Sequence, residues 1–497
     1  MKNVLSKILL LVLVVATLIS TLAILGSCSD EKKKDKDDDD EVNADVEDNL
    51  SDLPKTKFNE DFIVVCRDEG AEFWRENADG DKVDYAIYMR NRAIEEKFGV
   101  DIKPKHMEYH EIPAWVADIL KANDQKSMDI VNNHIVYSSN IPLAGNATDL
   151  QTVPYLKFEE DWWLDSTLND LTLNGKTFIA IGDMNTSAIS ATYCMYYNKD
   201  LVKEYKIPDE SGDMYKLAIE DGEWTYSKMI SLLGAIRADL NSDGRYTDQD
   251  RYGLVTEGMS FANAYLWAWE NPIFSKNENS GEIEFSFMRD GTKISKILDN
   301  IITMYGRTDG VYQVESAKGA EMFVNSQAVF LNSTFGGATS SLRSMDAEKW
   351  GIVPYPKYNK KQTNYVTAVD GGHNAICVPK TTNEKKLEKI GAITESLNRL
   401  SRLGESNLVT EFYDKGLKAK YLGDPKEAQV INLIMDNRVF DFGYIYLAFD
   451  SPAFWIQDMV KGNDKDISGK YTANRTNLEG VIEKAYEAFG LSFPGLP

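Results

Sequence analysis

The chain has 497 residues, 43% apolar and 27% charged, with a formal net charge of -23. That length divides into two to four domains with ample room for large cores. The negative balance excludes a nucleic-acid partner, because nothing would neutralise a phosphate backbone, and it excludes electrostatic docking on an anionic bilayer.

At the amino terminus, Lys2 and Lys7 flank an apolar run from Ile8 to Leu25. This is the layout of a signal peptide, although a run of about 18 apolar residues could also span a bilayer. Leu25-Gly26-Ser27-Cys28 then places two small residues between a branched apolar residue and a cysteine. The pattern resembles the lipobox of bacterial lipoproteins. It implies cleavage after residue 27 and a diacylglyceryl thioether on Cys28, holding the chain outside the cytoplasmic membrane. Residues 28–57 are acidic and lysine-rich, with few apolar side chains, and read as a flexible tether. With Cys28 lipidated, Cys66, Cys194 and Cys377 remain, an odd number without a CxxC pair, which suits free buried thiols. His106 and His110 are four apart without an HExxH around them, and read as surface residues.

The body alternates short apolar strands with amphipathic helices. Residues 62–66 (FIVVC) read as a buried strand. Tyr85 to Phe98 reads as a helix with Ala86, Met89, Ala93 and Ile94 on one face. A strand starts at Val100, a helix runs from Ile112 to Ala122, and 128–131 (MDIV) read as a third strand. This β-α-β-α-β order predicts an α/β fold with an open sheet, whose ligands bind beyond the carboxyl ends of the strands. That rule points to Arg67–Glu69 and to Asn132–His134.

From here the order of motifs resembles the sugar-binding kind of extracellular solute-binding protein, family 1, the lipoprotein subunit of ABC importers. The carriers are EEKFGV, SMDIV, ATDLQTVPYL, NGKTFIAIGD, CMYYNKDLVKEYKI (the most specific), GEWTYSKMISLLGAI, MFVNSQAVFLNS, KWGIVPYPKY, GGHNAICVPKTTNEKKLEKIGAI and SPAFWIQDMV, in this order over most of the body. The resemblance implies a two-lobed, periplasmic-binding-protein-like clamshell with a hinge, monomeric, closing on its ligand and delivering it to importer permease subunits. Lobe 1 would take residues 58–182 plus 370–423, and lobe 2 would take 183–369 plus 424–497.

Residues 239–250 match the spacing of a calcium loop. Asp239, Asn241, Asp243, Thr247 and Asp250 offer oxygen at positions 1, 3, 5, 9 and 12, Arg245 its carbonyl at position 7, and Gly244 the turn at position 6. A helix from Tyr226 to Ala238 is expected before it and a strand from Tyr252 after it. An ordinary acidic turn is the alternative.

A sugar site needs aromatic platforms and hydrogen-bonding side chains. With nine Trp, twenty-five Tyr and twenty Phe, platforms are plentiful. Trp267 and Trp269 would share a face if their segment is a strand and would not if it is a helix. Trp455 is implied by the resemblance, and Phe335 stands before Gly336-Gly337. Polar candidates at strand ends and crossings are Glu69, Asn132, His134, Asp183 and Asp370. Trp162 and Trp163 are assigned to packing or to the lobe surface. A glycosidase cannot be judged from carboxylates in so acidic a chain. GxSxG, HExxH, Walker and GxGxxG signatures are absent, so no enzyme is expected. Arg67, Arg75, Arg90 and Arg92 keep a peptide or anionic ligand open as the alternative. Repeats of the adhesin type are not seen.

Overall fold

The computed structural model describes residues 48–67, 72–234, 236–258, 260–277, 281–307, 309–314, 317–403, 407–412 and 425–496. Cys28, the apolar run, Glu69 and residues 413–423 of the expected first lobe lie outside them. Among the described residues no helix is long and apolar enough to cross a membrane. Lys55–Arg402 with Ser406–Pro497 cluster as one compact unit. Met1–Pro54 fall in a separate unit, in which Leu50 and Leu53, a pair of leucines three apart within the expected tether, are buried.

In chain order the strands are β1 Glu60–Cys66, β2 Val100–His106, β3 Ile130–His134, β4 Tyr193–Asn198, β5 Arg237–Ala238, β6 Arg251–Glu257, β7 Phe274–Lys276, β8 Ile283–Phe285, β9 Val311–Val314, β10 Ala328–Thr334, β11 Trp350–Val353, β12 Thr367–Ala368, β13 Asn374–Cys377 and β14 Arg438–Val439. One sheet has the order β13-β3-β1-β2. Its β1 is parallel to both neighbours, with Cys66 beside His106 and Asn132, and β13 returns antiparallel, with Asn374 opposite His134. The second sheet runs β11-β4-β10-β6-β5, with β9 also on β6, and mixes parallel and antiparallel pairs. The chain crosses from the first sheet to the second after β3 and returns before β13. It leaves again after the helix Glu384–Arg402, which packs on the helix Lys82–Phe98, for the helix Pro425–Asp436, which packs on β11. This is the mixed α/β clamshell expected.

The sequence explains the main elements. The apolar run of β1 suits a parallel strand covered on both faces. Asp81 forms a capping box with Asp84, and Gly99 closes the helix in the left-handed region at φ 61°. Asn198 ends β4 and accepts from the amides of Asp200 and Leu201, which is why the YYNKD segment turns from strand to helix.

Several expected details differ. The first helix starts at Lys82, and its buried face is Ala86, Ile87, Arg90, Asn91, Ile94 and Phe98, not the Met89–Ala93 side. Arg90 tolerates burial because it donates to Phe73 O (2.6 Å) and Ser401 Oγ (2.8 Å). The third strand begins two residues late: Asp129 accepts from Ile63 N at 2.8 Å and pairs with Lys389 at 3.0 Å. The helix from Tyr226 stops at Leu233, and Arg237–Ala238 is strand. Among the described residues, Cys66, Cys194 and Cys377 are buried and form no disulfide. Trp162 and Trp163 are packed, both donating to the buried Glu395 (2.9 and 3.0 Å).

Candidate functional site

The carboxyl ends of β1 and β3 and the start of β13 meet the two crossings between the sheets. At their centre is Glu72, a buried carboxylate three residues beyond the expected Glu69. Its Oε1 accepts from the side-chain amides of Asn374 (2.7 Å), Asn185 (3.0 Å) and Asn132 (3.2 Å), and its Oε2 accepts from Ser187 N (2.8 Å). Asn185 also donates to Asn132 Oδ1 at 2.7 Å. Nothing in the local pattern separates Glu72 from Glu69, because the side chains that select it come from three distant segments.

Beside this hub lie Arg67, His134, Asp370 and His373. Arg67 donates to Gly372 O. Burial, reinforced by the Arg67 charge, pushes His134 down to about 4. Burial does the same to His373, which also sits near about 4. Both imidazoles are therefore neutral at pH 7. The Asp370 carboxylate accepts from Tyr193 Oη (2.5 Å) and Gly372 N (2.9 Å), and Tyr444 Oη accepts from Gly371 N at 3.3 Å.

Above the polar floor runs a continuous ladder of rings. Tyr109 stacks on His134, centroids 5.6 Å apart and planes inclined 23°. Tyr137 meets Tyr109 edge-on at 4.9 Å and Phe449 at 5.0 Å. Phe449 meets Phe454 at 5.2 Å, Phe454 meets Tyr444 at 5.5 Å, and Tyr444 meets Trp267 at 5.0 Å. The ladder thus joins the loop after β2 to the helix Pro452–Gly462, which packs on the helices Ser260–Ala268 and Gly291–Arg307. Phe449 is 53% exposed and Tyr109 36% exposed. Exposed ring faces beside hydrogen-bonding groups can take a ligand with apolar C–H faces and polar edges.

Of the expected site residues, Asn132, His134 and Asp370 come together here. Trp267 backs the ladder, donating to Asp441 Oδ2 at 2.9 Å. Four others do not reach it. Trp269 is fully buried and donates to Pro356 O (3.0 Å), because its segment is a helix ending at Ala268 and not a strand. Phe335 is buried in a core cluster with Tyr196, Leu331 and Trp350. Trp455 is 7% exposed and packs edge-on against Phe287. Asp183 forms a two-point ion pair with Arg402, and its burial pushes the carboxyl up to about 6. The sequence does not single out Tyr109, Tyr137, Tyr444 or Phe449, and its one signal for them is the aromatic-rich stretch 440–455. The arginines proposed for an anion are mostly committed: Arg75 to Asp84, Arg92 to Glu95, and Arg90 to the interior. A separate cavity of about 690 Å³ opens beyond Trp267, between Asp170, Phe274 and Phe440, and shares no other ring with the ladder.

The calcium-type loop is closed at its base by Ala238 opposite Arg251. Asp239 accepts from Gly244 N (2.9 Å), and Gly244 turns at φ 76°, as the spacing requires. The second oxygen of Asp239 is buried without a partner, which fits a cation ligand. Asp250, however, accepts from Leu240 N (3.0 Å) and Thr247 N (2.8 Å). Among the described residues no three His, Cys, Asp or Glu side chains meet at one point.

A family model described as "Bacterial extracellular solute-binding protein" matches residues 91–389. No curated protein matches in sequence. Among solved structures, the chain is similar to the GacH receptor of Streptomyces glaucescens, crystallised unliganded and with acarbose (12% identity, 85% of this chain and 99% of that one, TM-score 0.52). It is also similar to UgpB from Mycobacterium tuberculosis, bound to glycerophosphocholine (14% identity, 86% and 98%, TM-score 0.55). A third is Lmo0181 from Listeria monocytogenes, bound to cycloalternan (12% identity, 85% and 99%, TM-score 0.51). At these identities the likeness speaks for the fold. The family match covers more than half of the chain, which belongs to the bacterial extracellular solute-binding proteins.

Proposed function

We propose that the chain captures a carbohydrate, of oligosaccharide size, across the exposed faces of Tyr109 and Phe449, closes its lobes over it and hands it to an ABC importer. The observation that carries this is the ring ladder, exposed at both Tyr109 and Phe449 and underlain by hydrogen-bonding groups. A clamshell closes because ligand contacts both lobes only in the closed state. Thioether lipid on Cys28 would keep the protein, as a monomer, beside the permease. Capture and release require no covalent step, so no residue is assigned a catalytic role.

Calcium in the 239–250 loop, held by Asp239, Asn241, Asp243, the Arg245 carbonyl, Thr247 and Asp250, would fix the hairpin between β5 and β6. Its role there is structural, and loading would require Asp250 to exchange backbone amides for the ion.

Thermal unfolding of the full chain with acarbose, tagatose, glycerophosphocholine and peptides, with and without calcium, tests both readings. A ligand at 100 times its dissociation constant adds about 2.7 kcal/mol. A rise with one saccharide class supports capture of sugar. A rise only with glycerophosphocholine, which Arg67 at the cleft could serve, transfers the site to an anionic ligand. Turnover of a saccharide would contradict transport.

A further inference from the structure

We propose that Glu72 is a positioning residue for ligand capture: it locks three chain segments into one rigid pad under the cleft and so decides where the lobes bend. The inference rests on the capture reading for its affinity arm only.

Four donors converge on this carboxylate. Asn132 ends β3, Asn374 starts β13, and Asn185 and Ser187 N belong to the first crossing. An ionised carboxylate is acceptor-only, so neither oxygen turns a donor of its own toward these groups; three share Oε1 and one meets Oε2. A glutamine cannot replace it, because its NH2 would face donors. The pad is reinforced around the hub. Asn374 N donates to Ser187 Oγ at 3.0 Å, Ala180 and Ile376 exchange backbone bonds (3.1 and 2.8 Å), and Ile135 N donates to His373 O at 2.9 Å. All of these join the crossings to the first sheet.

Only a few residues farther on, the chain belongs to the second lobe. Thr192 O accepts from Phe335 N (2.9 Å), and Thr192 pairs with Val369. In these two crossings the bend then falls at Ser190–Thr192 and Asp370–Gly372. The second of these contains Gly371, where an added Cβ would stand 2.8 Å from Val136 Cγ2. The pivot thus lies closer to the second lobe than a boundary after residue 182 would place it. His134 and Asp370, the floor of the cleft, stand on its two sides.

The test uses a donor–acceptor dye pair carried by unnatural side chains at the exposed Glu96 and Lys349, in the full chain, with acarbose as the ligand probe. Glu72→Gln is expected to broaden the ligand-free distance distribution. If it leaves the competent arrangement about one-tenth populated, affinity falls about tenfold. The conservative variant Glu72→Asp keeps an acceptor-only carboxylate before the same donors and is expected to show a narrower distribution and tighter binding than Glu72→Gln. A merely structural role would show lowered thermal midpoints with no such difference. An unchanged distribution in Glu72→Gln, or a distribution in Glu72→Asp as broad as that of Glu72→Gln, overturns the proposal. If Glu72→Gln does not fold, Asn374→Ala removes one donor and is expected to broaden the distribution less, and no broadening there is equally fatal. If the wild type binds no saccharide, the capture reading fails while the distance arm still decides the role of Glu72.

Discussion

The rings around Trp269 and the rings around Phe449 are packed at similar spacings but meet different surroundings. Trp269 sits between Tyr226, Tyr265 and Tyr358 at 5.0–5.7 Å and is fully buried. Phe449 touches Tyr137 and Phe454 at 5.0 and 5.2 Å, yet keeps 53% of its surface open. An aromatic cluster thus signals a binding platform only where nothing covers its faces. Enclosed rings stabilise the lobe, and open rings are left for a ligand.

The contrast is broken most sharply by Trp269→Ala. Removing a sealed indole from the core is expected to cost about 3–5 kcal/mol in stability, read by denaturant unfolding. A cost under about 1 kcal/mol would mean the cluster is not sealed.

Acid tests the boundary between the two regions, because His134 stacks on Tyr109 while His373 is enclosed. Both have folded values pushed below the usual imidazole range, so the unfolded chain binds their protons first. Their contribution to stability is full above pH 6.5 and is lost as pH falls toward 4. Imidazole NMR titration should give midpoints near about 4 for both. A midpoint near 6.5 for His373 would show that it is not enclosed.

The acidic loop belongs to neither ring set. If calcium occupies it, chelation should lower stability by no more than about 2.7 kcal/mol at 100-fold saturation and leave ligand affinity alone. Asp239→Ala should abolish the calcium-dependent shift. A change in affinity on chelation would couple the loop to the cleft. Smallest of all on stability are Tyr109→Ala and Phe449→Ala, each expected within about 1 kcal/mol of the wild type because each ring is already partly in water.

How much of this was legible depended on whether the signal was local. The β1 run, the Asp81 cap, the Asn198 turn and the order of motifs are local, and they fixed the clamshell. Asn132 and His134 stand where a rule about strand ends points, and Asp370 stands at a crossing. Glu72 has no such mark, since its partners lie 60 to 302 residues away in sequence. Trp267-Ala268-Trp269 reads equally as strand or helix, and only packing on Asp441 and Pro356 decided it. Phe449 stands in a short 3-10 turn, where neither period applies. Arg90 reads from the sequence as one of four arginines that could meet an anion, and its burial depends on Ser401, 311 residues later in the chain.

The central claim is that the open rings hold the ligand, and calorimetric titration of Phe449→Ala with the saccharide that stabilises the wild type tests it most directly. The account predicts binding weakened about tenfold, roughly 1.4 kcal/mol, with a thermal midpoint close to that of the wild type. Unchanged affinity in a folded Phe449→Ala protein would contradict it.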